Sequence, residues 1–73
     1  MRVIVKSREV DVEVEPGMTI GAITTKARWA AGCGSVAFDN WEIRTEDGIL
    51  LDPCAQPGEL TVLVVNLLAG IGA

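Results

Sequence analysis

A chain of 73 residues has room for one domain, and an apolar content of 49% is enough to supply a core and to argue against disorder. Its net charge of −4, from ten acidic and six scattered basic residues, argues against a nucleic-acid surface. With no histidine, the chain has no Ser-His or Cys-His nucleophile pair and no imidazole metal site, so no enzymatic activity of its own is expected.

Residues 1–7 (MRVIVKS) alternate, with Val3 and Val5 on one face. After a short link at 7–9, Val10, Val12 and Val14 alternate with Asp11, Glu13 and Glu15. Period-2 patterning rich in β-branched residues predicts two half-buried strands joined as a hairpin, stopped by Pro16 and Gly17. No cationic leader opens the chain, and no apolar run nears the roughly 20 residues that span a bilayer. A cytoplasmic location without membrane contact is therefore expected.

Thr19 is placed to cap a helix, its hydroxyl accepting from an orphan backbone N–H. Ile20, Ile23, Ala27 and Ala30 recur at helical spacing, predicting about three amphipathic turns. Gly32 and Gly34 flank Cys33 and should end the helix. In a cytoplasmic protein Cys33 and Cys54 are expected as free thiols, with a disulfide between them as the alternative.

A loop over 35–40 leads to a strand in which Trp41 and Ile43 alternate with Glu42 and Arg44. Asp47-Gly48 then marks a hairpin turn, because both positions tolerate positive φ. A short return strand is expected over 49–51. Polar turns at Asp52-Pro53 and Pro57-Gly58 precede a nearly continuous apolar strand over 60–66 (LTVLVVN), the pattern of a sheet interior. A sheet with the last strand beside the first, and the helix laid across one face, accommodates this order with right-handed crossovers.

The segments MRVIVKS, VDVEVEPGMTIGAI, WEIRTEDGILLDP and LTVLVVNLLAG resemble, in order and spacing, the elements of ubiquitin and its relatives. The resemblance covers nearly the whole chain. It implies an α+β fold of the β-grasp type, a mixed sheet of four to five strands with one helix across it. The domain would occupy residues 1–68, and a glycine-containing tail residues 69–73.

The resemblance further implies a protein modifier, similar to those encoded in bacterial operons beside their own enzymes. In that family an ATP-dependent activating enzyme adenylates a terminal glycine carboxylate, and a conjugating enzyme passes it to protein targets. The tail must thread a narrow channel, which glycine's missing side chain permits. Here Gly70 matches the first glycine of the family's terminal pair, while Ile71 replaces the second. A processing peptidase removing Ala73 would expose Gly72 as the reactive end. No cofactor is expected on the chain itself, ATP being used by the activating enzyme. A sulfur carrier of the thiamin or molybdopterin type, ending as a thiocarboxylate, is one alternative. A noncovalent β-grasp interaction module is another.

If Val3, Val5, Val62 and Val64 face the helix, then Ile4, Leu63 and Val65 face outward as an apolar patch. Ubiquitin uses that face for partners, and its central third-strand position corresponds here to Arg44. Leu67 and Leu68 are further expected partner-binding residues. Trp29 lies opposite Ile20 and Ala27 on the helical wheel, so it is either an interface anchor or folded into the core. Apolar surfaces on two sides of one small domain also suggest self-assembly, head to tail into a filament.

Overall fold

The computed structural model describes residues 1–32 and 41–67. Strands β1 (Arg2–Val5) and β2 (Arg8–Asp11) precede helix α1 (Ile20–Ala30), and strands β3 (Trp41–Arg44) and β4 (Val62–Leu67) follow it. The four strands form one mixed sheet in the order β2-β1-β4-β3, with β1 and β4 parallel and the other pairs antiparallel. This is a small α+β fold compatible with a β-grasp. The expected loop over 35–40, Gly34 and Cys33 lie outside the described residues, whereas Cys54 is a free, exposed thiol. Among the described residues no helix is long and apolar enough to cross a membrane.

The hairpin β1–β2 is tighter than the alternation suggested. Val5 pairs directly with Arg8, so the turn consists of Lys6 and Ser7 alone rather than a link over 7–9. Both turn residues have positive φ, 48° and 70°. That is the type I′ arrangement, whose twist matches the strands but which favours Asn-Gly over side chains with a Cβ. Ser7→Gly is therefore expected to stabilise the domain by about 0.5–1 kcal/mol, the relieved strain exceeding glycine's entropy cost. A melting temperature raised by roughly 4 °C would report it. A lowered one would mean that the native turn is not strained.

Regular pairing in β2 ends at Asp11, short of the expected 10–15, although the ladder carries on for one residue. Val12 N–H donates to Met1 O at 2.8 Å, and the Met1 amino group donates to Val12 O at 3.0 Å. Val12 is consequently buried, while Val14, beyond the last partner, is exposed.

Helix α1 begins as its sequence predicts. Thr19 is extended and its Oγ1 accepts from Ala22 N–H at 3.2 Å. The two preceding orphan donors are met by the distant connection before β4: Ile20 N–H donates to Ala55 O at 2.9 Å and Gly21 N–H to Pro53 O at 2.8 Å. At the other end Arg8 donates to Ala31 O at 3.2 Å, and Gly32, at φ 81°, turns the chain away. The buried stripe differs in one member from the expected one, because Ala30 is exposed and Ala31 takes its place. Thr24 and Arg28 complete the stripe, one turn apart.

The core joins that stripe to the inner face of the sheet. Val3 is flanked by Val10 and Leu63, and Val65 by Val5 and Ile43, all packed with Ile20, Ile23 and Ala27. The return strand expected over 49–51 reduces to a single bridge, Arg44 with Leu50, continued by Leu51 N–H to Ile43 O at 2.8 Å. Gly48, at φ 87°, makes the turn between them.

Candidate functional site

Two features outside the core could serve function: the outer face of the sheet and the segment that follows β4. The outer face is read directly from the register. One row crosses the sheet as Glu9, Ile4, Val64 and Arg44, then Leu50. A second runs Asp11, Arg2 and Val62.

This face corrects the expected patch. Ile4 and Arg44 lie on it as foreseen, but Leu63 and Val65 do not, being fully buried on the helix side. The outward residues of β4 are Val62, Val64 and Asn66, each half-buried. Four successive apolar residues, 62–65, carry no period-2 signal, so the parity of β4 could not be read from it. Parallel pairing of Val3 with Leu63 decides it, and a one-residue shift exchanges every side chain between faces.

Charges limit how much of the face is apolar. Arg2 Nε lies 2.9 Å from Glu9 Oε1, and its Nη2 lies 3.9 Å from Glu46 Oε2 beyond β4. The Arg2 side chain therefore spans Val62. Arg44 Nε contacts Glu42 Oε2 at 3.0 Å, while its Nη1 donates to Gly48 O at 2.7 Å. What remains is a narrow pair, Ile4 beside Val64, rimmed by arginines already held by carboxylates. Partly exposed pairs of this kind contribute only a few tenths of a kcal/mol each, but they hold the arginine stems flat against the sheet.

Trp29 is 66% exposed on the solvent side of α1, far from the packed stripe, and the alternative of a core tryptophan is set aside. Leu50, at 61% exposure, and its neighbour Ile49 are the sheet-side counterparts. The alternation of 41–44 leaves Leu50 unremarked, and only its bridge to Arg44 places it beside the outer row.

β4 lies inside the sheet, between β1 and β3, and ends at Leu67 opposite Trp41. The side chain of Leu67 and the residues Leu68, Gly70, Gly72 and Ala73 lie outside the described residues. Among the described residues no group of three or more acidic or cysteine side chains could hold a metal ion.

No curated protein matches the chain. A protein-family model does match it, over residues 1–73, and is described as a protein of unknown function (DUF2604).

Proposed function

The chain belongs to the DUF2604 family, and from its fold and the glycines that follow its last strand we propose that it is a ubiquitin-like protein modifier of the β-grasp type. One observation carries the reading: the central strand, parallel to β1, is followed in the sequence by Gly70 and Gly72. Glycines after the last strand suit an enzyme that draws the chain through a narrow active-site channel, because they carry no side chain.

The chemistry belongs to the partner enzymes. With Ala73 removed by a peptidase, the Gly72 carboxylate attacks the α-phosphate of ATP in the activating enzyme and displaces pyrophosphate. A cysteine thiolate then displaces AMP, and the acyl group passes through a conjugating enzyme to a nucleophile on a target protein. Glycine at the acyl position leaves both faces of the carbonyl open. The Ile4–Val64 pair with Arg44 is the surface by which those enzymes would recognise the folded domain.

Intact and peptide mass spectrometry of the chain isolated from its native host tests this reading. Expected is a terminus at Gly72, with a fraction of the chains linked through it to other proteins. A thiocarboxylate terminus would assign the protein to sulfur transfer instead. Ala73 retained in every molecule would remove both covalent readings. A noncovalent interaction module, the reading favoured by exposed Trp29 and Leu50, would then stand.

A further inference from the structure

Trp29 is the most exposed of the large apolar side chains among the described residues. Around it the solvent side of α1 carries Ala22, Lys26 and Ala30, all exposed and none large and apolar. The indole is thus a knob standing above small neighbours, with Lys26 one turn back beside it.

A hollow lies on another side of the same domain. A cavity of about 300 Å³ opens between α1 and the segment that returns after β3, walled by Thr24, Arg28, Ile43, Leu50, Leu51 and Pro53. That volume is at the small end for ligand cavities and suits one large side chain. A guanidinium, a proline ring and two leucines are surfaces on which an aromatic ring packs well. The indole of the same chain does not fill the hollow. Trp29 follows Arg28 by about 100° around the helix and points to solvent.

Charge distinguishes the two places. Helix α1 carries Lys26 and Arg28 and no acidic residue. At the mouth of the hollow, exposed Ile49 and Leu50 are bracketed by Asp47 and Asp52. Neither aspartate is in an ion pair among the described residues, and residues 46–52 include no basic one. A lysine beside the knob therefore meets free carboxylates beside the hollow.

We propose that a second copy of this chain docks here, the Trp29 indole of one copy entering the hollow of the next with Lys26 set against Asp47 and Asp52. Knob and hollow are different patches, so every copy offers one of each. Such contacts are head to tail and run on as an open chain instead of closing on themselves. The net charge of −4 opposes association that lacks this local match, which keeps the contact weak. The inference is independent of any chemistry at the glycines after β4.

Sedimentation equilibrium of the full chain tests it. Expected is a mass that rises with concentration up to ~1 mM and passes that of a dimer. Trp29→Ala, a change on the solvent side that leaves the core intact, should weaken association at least ~10-fold. Leu50→Glu, at the mouth of the hollow, should do the same. Mixing these two variants brings one intact hollow to one intact knob, so a 1:1 dimer that grows no further is expected. Lys26→Glu should weaken association of the otherwise unchanged chain roughly 3-fold. Lys6→Glu makes the same change in net charge at the β1–β2 turn and should alter it less than about 2-fold. 15N spectra of the dilute variants confirm that each is folded.

A monomer at ~1 mM would overturn the proposal, as would parent-like association of Trp29→Ala. No recovery on mixing would mean that knob and hollow do not meet. Equal losses from Lys26→Glu and Lys6→Glu would reduce the charge match to overall repulsion. A parent chain that stops at a dimer would make the contact two-fold. Each of these results removes the head-to-tail reading.

Discussion

Leu63→Ala is expected to lower the unfolding free energy by about 3 kcal/mol, whereas Val64→Ala, one residue on, should cost less than about 1 kcal/mol. Leu63 has no exposure and sits on an interior strand next to Val3, beneath the helix. Removing its isobutyl group loses transfer free energy and leaves a void that paired neighbours cannot collapse into. Val64 is half-buried, with one face already wet. A domain of this length has roughly 4–11 kcal/mol of stability in all, so the first change consumes a large share. Urea unfolding of the two variants, read as midpoints at constant slope, measures the difference. Equal losses, or a greater loss at Val64, would mean that β4 presents its other face to the helix.

The second large effect is expected at Arg28. This side chain is 4% exposed on the packed face of α1, and its guanidinium carbon lies 5.5 Å from the centroid of the Trp41 ring. Nη2 also reaches Thr25 Oγ1 at 3.4 Å, one turn back. A planar cation over an indole, desolvated by the surrounding apolar groups, contributes up to ~2 kcal/mol, and its methylene stem fills volume as a leucine would. Arg28→Ala should therefore cost about 2–3 kcal/mol. Arg28→Lys should recover only part of this, because an ammonium cannot stack. Trp29→Ala, next in sequence but solvent-facing, should stay within about 0.5 kcal/mol of the parent. Urea midpoints order the three, and near-ultraviolet circular dichroism follows the Trp41 environment. Parent-like stability of Arg28→Ala would show that the guanidinium does not pack on the ring in solution.

Much of this architecture is legible in the residues one after another. Thr19 before Ile20, Ile23 and Ala27 sets the start and the inward face of the helix, and Gly32 its end, because capping and periodicity act within one or two turns. Asp47-Gly48 sets the turn after β3 for the same reason, since positive φ at Gly48 is a property of that residue alone. Alternation in 1–5 and 41–44 assigns each strand's inner side correctly, with Val3, Val5, Trp41 and Ile43 all buried.

Other features have no local signal. An arginine in a helix reads as solvated, and only the neighbouring β3, distant in sequence, supplies the ring that takes Arg28 inward. The Lys6-Ser7 turn follows from Val5 pairing with Arg8, against the preference of both turn residues. Leu63 and Val65 differ from Val62 and Val64 in nothing a sequence pattern can express. Their faces are set by hydrogen bonds to β1 and β3, at separations of dozens of residues. By itself, then, the sequence determined the order of elements, the cap and end of the helix, the turn at Asp47-Gly48, and the faces of strands whose two sides differ in polarity. The tertiary structure alone decided the parity of the central strand and the residues of the outer face, because these depend on which backbones pair across the sheet.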